Sequence, residues 1–147
     1  MMFKTALILG VLANFANADY RCATNRGNFN IKSAWANDAK TNGGSTTGKS
    51  GFPHAFGGSS GSNAQLRFYG SDNRCNEQNP SLYEFPVMKD GSKYAKDEKH
   101  GQTETPARVV YLQADTSVLC GVMTHVIEDA TDHHGSGDFR VCDWVDS

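Results

Sequence analysis

The sequence predicts an α+β fold in which one helix packs on a face of an antiparallel sheet. Three observations carry that expectation: one stretch of helical apolar spacing, a series of short alternating segments after it, and four cysteines in 147 residues. The length fits one domain, because two would each have a thin core. Hydrophobic residues form 38% of the chain, with eight Phe, five Tyr and two Trp, which excludes a disordered chain. Fourteen basic against sixteen acidic side chains exclude a protein held to nucleic acid by charge alone.

The first eighteen residues read as a leader and not as part of the fold. Lys4 is followed by a mostly apolar run, Ala6 to Phe15, and then by Ala16-Asn17-Ala18, a small-x-small cleavage pattern. The run is shorter than the about 20 residues that a membrane span needs. Residues 1–18 are therefore expected to be a signal peptide, and 19–147 a secreted, extracellular domain with no membrane association. Losing Lys4 leaves 14 − 1 = 13 basic groups against 16 acidic, a net charge of −3.

The helix is expected first. Asn28 or Asn30 can cap it, and Ile31, Ala34, Trp35 and Ala39 recur on one face. Thr41-Asn42-Gly43-Gly44 ends it. A Gly-, Ser- and Thr-rich stretch follows from Ser45 to Asn63, broken by Phe52-Pro53-His54-Ala55-Phe56, which alternates as a short strand does. Further strands are expected at 66–69, 82–87, 107–112, 118–126 and 139–142. The polar segment 89–105 carries both charge signs and reads as a solvated loop. Secretion would make two disulfides the default for Cys22, Cys75, Cys120 and Cys142, with three pairings open. A zinc site would need close cysteine pairs, and the sequence has none.

Period-two geometry then separates core from chemistry. In Leu82-Tyr83-Glu84-Phe85-Pro86-Val87, Tyr83, Phe85 and Val87 share the core side, so Glu84 points away with Leu82 and Pro86. Arg108 and His125 lie in later strands and His54 in the aromatic island. On adjacent strands they would join a base, an acid and a cationic clamp, a metal-free set suited to phosphodiester transesterification. Taken singly, each reads as a surface charge or a surface histidine. His133-His134 reads as loop, because neighbouring residues diverge on regular backbone, and His100 as exposed.

Four ordered motifs, Phe52-Pro53-His54, Leu82-Tyr83-Glu84-Phe85-Pro86, Ala107-Arg108-Val109-Val110-Tyr111 and Gly121-Val122-Met123-Thr124-His125, resemble those of the fungal guanyl-specific ribonucleases. Tyr20-Arg21-Cys22 and Phe139-Arg140-Val141-Cys142 resemble that family too, so the likeness spans nearly the whole of 19–147. Cys75 and Cys120 look more like those of the purine-preferring members and the sarcin-type ribotoxins, which implies the pairs Cys22–Cys142 and Cys75–Cys120.

The resemblance implies a curved sheet and a monomeric endoribonuclease that needs neither cofactor nor metal. Such an enzyme cleaves single-stranded RNA after guanine or purines through a 2′,3′-cyclic phosphate. By motif, Glu84 is the general base, His125 the general acid, Arg108 the phosphate clamp, and His54 an orienting and charge-stabilising partner. Phe52, Phe56 and Phe139 are the implied substrate-binding residues, with Phe52 on the open side of its strand. Phe52 stands where the family usually has Tyr. The base-recognition loop, Phe56 to Asn63, has no acidic residue. Ribotoxins are basic, unlike this chain. A ribotoxin acting on ribosomal RNA, or a ribonuclease-like effector that binds host RNA or protein, are the alternative readings.

Overall fold

The computed structural model describes residues 18–69 and 72–146. The expected leader lies outside them except for Ala18, which is buried and pairs with Asp146 at the start of the first strand. That strand, β1 (Ala18–Thr24), turns back into β2 (Gly27–Lys32), and the single helix α1 (Ser33–Gly43) follows. Then come β3 (His54–Phe56), a 3₁₀ turn at Asn73–Asn76, β4 (Leu82–Pro86), β5 (Ala107–Leu112), β6 (Leu119–Glu128), β7 (Gly135–Val141) and β8 (Asp143–Asp146). A five-stranded antiparallel sheet runs β3-β4-β5-β6-β7, and a three-stranded sheet runs β2-β1-β8.

The α+β architecture is as expected, but a hairpin precedes the helix. Ile31 belongs to β2, opposite Tyr20, and Phe29 pairs with Cys22. Ile31 sits three and four residues before Ala34 and Trp35, so its spacing mimics a helical face while its side chain alternates with Phe29 on a strand. Asn28 and Asn30 are consequently strand residues. The helix starts after Lys32 with no side-chain cap. The expected strand at 66–69 is irregular backbone, and β8 had no sequence signal beyond Trp144-Val145.

The helix packs on one face of the large sheet. Ala36 and Ile31 meet Phe85, Val109, Tyr111 and Val122 in a buried cluster, with Trp35 and Ala39 at its margin. The last helical turn lies very close to the sheet. A Cβ on Gly43 would collide with the Tyr111 hydroxyl and come within 2.9 Å of Phe85. That closeness lets the Tyr111 hydroxyl donate to the Gly44 carbonyl at 2.7 Å.

The opposite face is covered as well. The segment after β3 folds over it and inserts Phe68 among Leu82, Val110, Leu112 and Met123. The Asn76 side chain clamps Phe68 by accepting from its amide at 2.7 Å and donating to its carbonyl at 2.8 Å. Gly121 makes room, since a Cβ there would lie 2.9 Å from the Phe68 ring. The disulfides are Cys22–Cys142, which ties β1 to the segment after β7, and Cys75–Cys120, which fastens the covering segment to β6.

The segment 89–105 is not simply a solvated loop. It sends Tyr94 and Thr105 into the interior, and His100 is half-buried, stacked on Tyr94 with its Nε2 2.8 Å from the Ala95 carbonyl. Cys75 and Cys120 are 45 residues apart. Replacing both by Ser should lower stability by about 2–4 kcal/mol through release of the unfolded chain, read as a fall in melting temperature. An unchanged melting temperature would show that this bridge does not hold the cover.

Candidate active site

The sheet register brings the expected residues together step by step. His54 on β3 stands opposite Glu84 on β4, and Glu84 opposite Val110 on β5. Arg108 lies two residues from Val110, so it shares that face, and it stands opposite Met123 on β6. His125 lies two residues beyond Met123 and opposite Phe139 on β7. Cross-strand partners share a face. His54, Glu84, Arg108, His125 and Phe139 therefore form a diagonal across all five strands, on the face away from the helix. Tyr83, Phe85 and Val87 point into the helical side, as their alternation predicts.

This face is open only at its rim. Glu84 is 8% exposed and Arg108 5% exposed, at the edge of the cluster under Phe68. Glu84 Oε1 lies 3.4 Å from Arg108 Nε, an ion pair without hydrogen-bond geometry. Arg108 Nη1 donates to the carbonyls of Thr105 at 2.8 Å and Ala107 at 3.0 Å. Its guanidinium lies 5.3 Å over the Phe52 ring. The clamp is thus fixed from below by backbone and from the side by Glu84.

The histidines flank this pair. His54 is exposed and stacks on Phe52, ring centroids 3.9 Å apart. His125 packs on Phe139 at 4.0 Å, and its Nδ1 lies 2.9 Å from the Gly137 carbonyl. That contact defines Nδ1–H as the donor and leaves Nε2 for chemistry. Burial pushes the Glu84 carboxyl above its ordinary range, against the pull of Arg108. Burial, with help from Arg108, pulls both imidazoles below theirs, and the Gly137 bond offsets part of that shift at His125.

Two expected contacts are differently placed. Phe52 is not on an open side: it is 6% exposed and meets Phe85 and Tyr94 edge-on. It supports His54 and Arg108 from beneath. Phe56 is also buried, edge-on to Phe139 at 5.9 Å, because the following loop folds back over it. That loop docks on β7, where the Phe139 amide donates to the Ser60 carbonyl at 2.7 Å. It carries no acid of its own, but the Ser62 hydroxyl donates to Asp138.

Thr105 and Tyr94 had no sequence signal. Thr105 supplies a carbonyl to Arg108 and bonds Val87 through its hydroxyl at 2.7 Å. Among the described residues one group could gather a cation, Asp129, Asp132 and His134 in the β6–β7 turn. Its carboxylates are occupied by the turn itself: Asp129 accepts from the Thr131 amide, and Asp132 lies 2.6 Å from His134 Nδ1.

A carboxylate, a clamped arginine and two imidazoles on one face form a set suited to phosphodiester cleavage. The comparisons agree, for residues 17–143 match the ribonuclease family. The chain belongs to that family and is an endoribonuclease acting on RNA. Hirsutellin A from Hirsutella thompsonii is 32% identical, with a TM-score of 0.66 over 86% of this chain and 98% of that one. Restrictocin, an Aspergillus ribotoxin, was solved with a 29-mer sarcin/ricin domain RNA analogue and is 22% identical. It gives a TM-score of 0.65 over 84% of this chain and 98% of that one. The cytotoxic ribonuclease alpha-sarcin is 20% identical, with a TM-score of 0.62 over 85% and 98%. No curated protein sequence matches.

The shifts predict a narrow pH profile. With Glu84 as the expected base, its raised pKa moves the acid limb up; with His125 as the expected acid, its lowered pKa moves the alkaline limb down. kcat/KM should therefore peak between the ordinary carboxylate and imidazole values of about 4.3 and 6.5. A rate still rising above about pH 8 would remove His125 from the acid's role. Phe52→Leu keeps an apolar side chain but removes the ring under His54 and Arg108. It should cut kcat/KM about fivefold, since a cation–π contact contributes about 1 kcal/mol. An unaffected rate would make Phe52 packing alone.

Proposed function

We propose that the protein is a secreted, metal-independent endoribonuclease of single-stranded RNA, cutting after purines through a 2′,3′-cyclic phosphate. The observation that carries this reading is the Glu84–Arg108 pair set between His54 and His125 on one face. Glu84 takes the proton of the ribose 2′-hydroxyl, and the 2′-oxygen forms a bond to phosphorus. Arg108 holds the non-bridging oxygens as their charge grows, which its fork of donors suits. The bond from phosphorus to the 5′-oxygen breaks, and that oxygen takes the proton of His125. Glu84 is then protonated and His125 neutral, so the two exchange roles when water opens the cyclic phosphate.

His54 orients the 2′-hydroxyl and shares the phosphate charge, and Phe139 shields the leaving group. Base recognition falls to the loop that follows Phe56. DNA escapes because it lacks the 2′-nucleophile. Two disulfides and the leader-like residues 1–18 support secretion and a working domain of 19–147. Among the described residues no helix is long and apolar enough to cross a membrane, and the protein works as a monomer. The likeness to restrictocin favours one second reading, a nuclease aimed at a structured ribosomal RNA loop. The net charge of −3 on residues 19–147 weighs against docking on a polyanion.

Incubation with RNA in EDTA should yield 5′-hydroxyl and 2′,3′-cyclic phosphate ends. Many fragments from naked RNA support the first reading, and a single fragment from intact ribosomes the second. His125→Ala should lose about a hundredfold or more in kcat/KM with an unchanged melting temperature, because the alkoxide leaves poorly without an acid. A folded, active His125→Ala protein would overturn the assignment.

A further inference from the structure

The concave face does not end at Phe139. Beyond it lies a groove of about 600 Å³ between the segment 60–69 and β6, β7 and β8. Tyr69 and Trp144 line it, and they are two of the three large apolar side chains exposed among the described residues, at 79% and 49%. Single exposed aromatics are ordinary; two in one groove that also contains Phe139 form a platform. Trp144 is held edge-on by Tyr20, ring centroids 4.9 Å apart, which fixes its ring while half of it stays open. The Arg67 guanidinium lies 5.8 Å over Tyr69.

Charge narrows the ligand. Arg67 and Arg140 line the groove together with Asp138 and Asp143, so its formal charge is zero. A polyanion would find no electrostatic trap there. Planar bases would find ring faces, and stacking on aromatics is tolerant of sequence. The groove also opens at a particular end of the site. Phe139 lines it and stacks on His125, the group that meets the leaving 5′-oxygen.

We propose that this groove binds the one or two nucleotides on the 3′ side of the cleaved bond, with their bases stacked on Tyr69 and Trp144. Its direction rests on the assignment of His125 as acid. The enzyme then distinguishes a long strand from a dinucleotide by stacking contacts made after the leaving oxygen.

The test compares a dinucleoside phosphate with substrates extended by two nucleotides on the 3′ or the 5′ side. In the wild type only the 3′ extension should raise kcat/KM. Tyr69→Ala should lower kcat/KM on the 3′-extended substrate about tenfold, leave the dinucleoside unchanged, and be rescued by Tyr69→Phe. Trp144→Ala should act in the same direction. An equal loss on both substrates, no loss, or a gain from the 5′ extension would overturn the proposal. Binding of uncleavable 2′-O-methyl versions of the same oligonucleotides reads the groove apart from the chemistry. There Tyr69→Ala should weaken only the 3′-extended strand, and an unchanged Kd would overturn the groove. Absence of cyclic-phosphate ends would instead overturn the catalytic assignment.

Discussion

The buried contact between Glu84 and Arg108 places the heaviest demand on this fold. Removing two opposite charges from water costs several kcal/mol per ion, and Coulomb attraction repays this only when other polar partners help. Here the help comes from backbone: the Thr105 and Ala107 carbonyls take Nη1 of Arg108. Thr105 can do this because its own hydroxyl anchors to the Val87 carbonyl and receives the Ala107 amide at 3.2 Å. The start of β5 is thereby a rigid mount for the guanidinium. The same burial that strains the pair equips it for chemistry, since a carboxyl raised by desolvation is a stronger base when it ionises.

Two apolar layers hold that pair in place, one on each side of the sheet. The helical layer keeps Phe85 and Val109 fixed beside Glu84 and Arg108 in their strands, while Phe52 reaches round to underlie the guanidinium. The second layer, built on Phe68, is a loop fastened by Asn76 and by the Cys75–Cys120 bridge. A small domain with two thin layers has little stability to spare. Both disulfides lie where a layer meets the sheet, which is where cross-links best limit loosening of the site.

Part of the diagonal of site residues was legible in the sequence because strands obey a strict alternation. Phe85 and Val87 had to be inside, so Glu84 had to be on the other face; Arg108 sits in a strand buried throughout, where alternation gives no face. Motif likeness supplied which strands were neighbours, which alternation alone does not give. The helix start was misread because Ile31 satisfies both a helical and a strand period. What decides between them is pairing with Tyr20, a contact across the chain that local spacing does not contain. Phe52 was expected on the open side of its strand because the resemblance puts it where the family has Tyr. Its burial depends on Tyr94, carried in from a segment whose composition is that of solvated loop.

The distribution of charge closes the argument. The chain is slightly acidic, yet its site gains positive charge as the imidazoles protonate, because Glu84 offsets only one of the three cations. Burial, and after it the charge of Arg108, lowers the pKa of both histidines, so their protonated forms are disfavoured in the free enzyme. An entering phosphate would favour the protonated imidazoles, which the proposed role of His125 as acid requires. Positive charge is thus concentrated at one phosphodiester and not spread along a polyanion track. Recognition away from that phosphate falls to shape and ring faces, on the loop over Phe56 and along the groove past Phe139. Both surfaces are formed by the covering segment together with β7. On the proposed reading, changes in that segment retune which RNA is held, while β3, β4, β5 and β6 keep the chemistry unchanged.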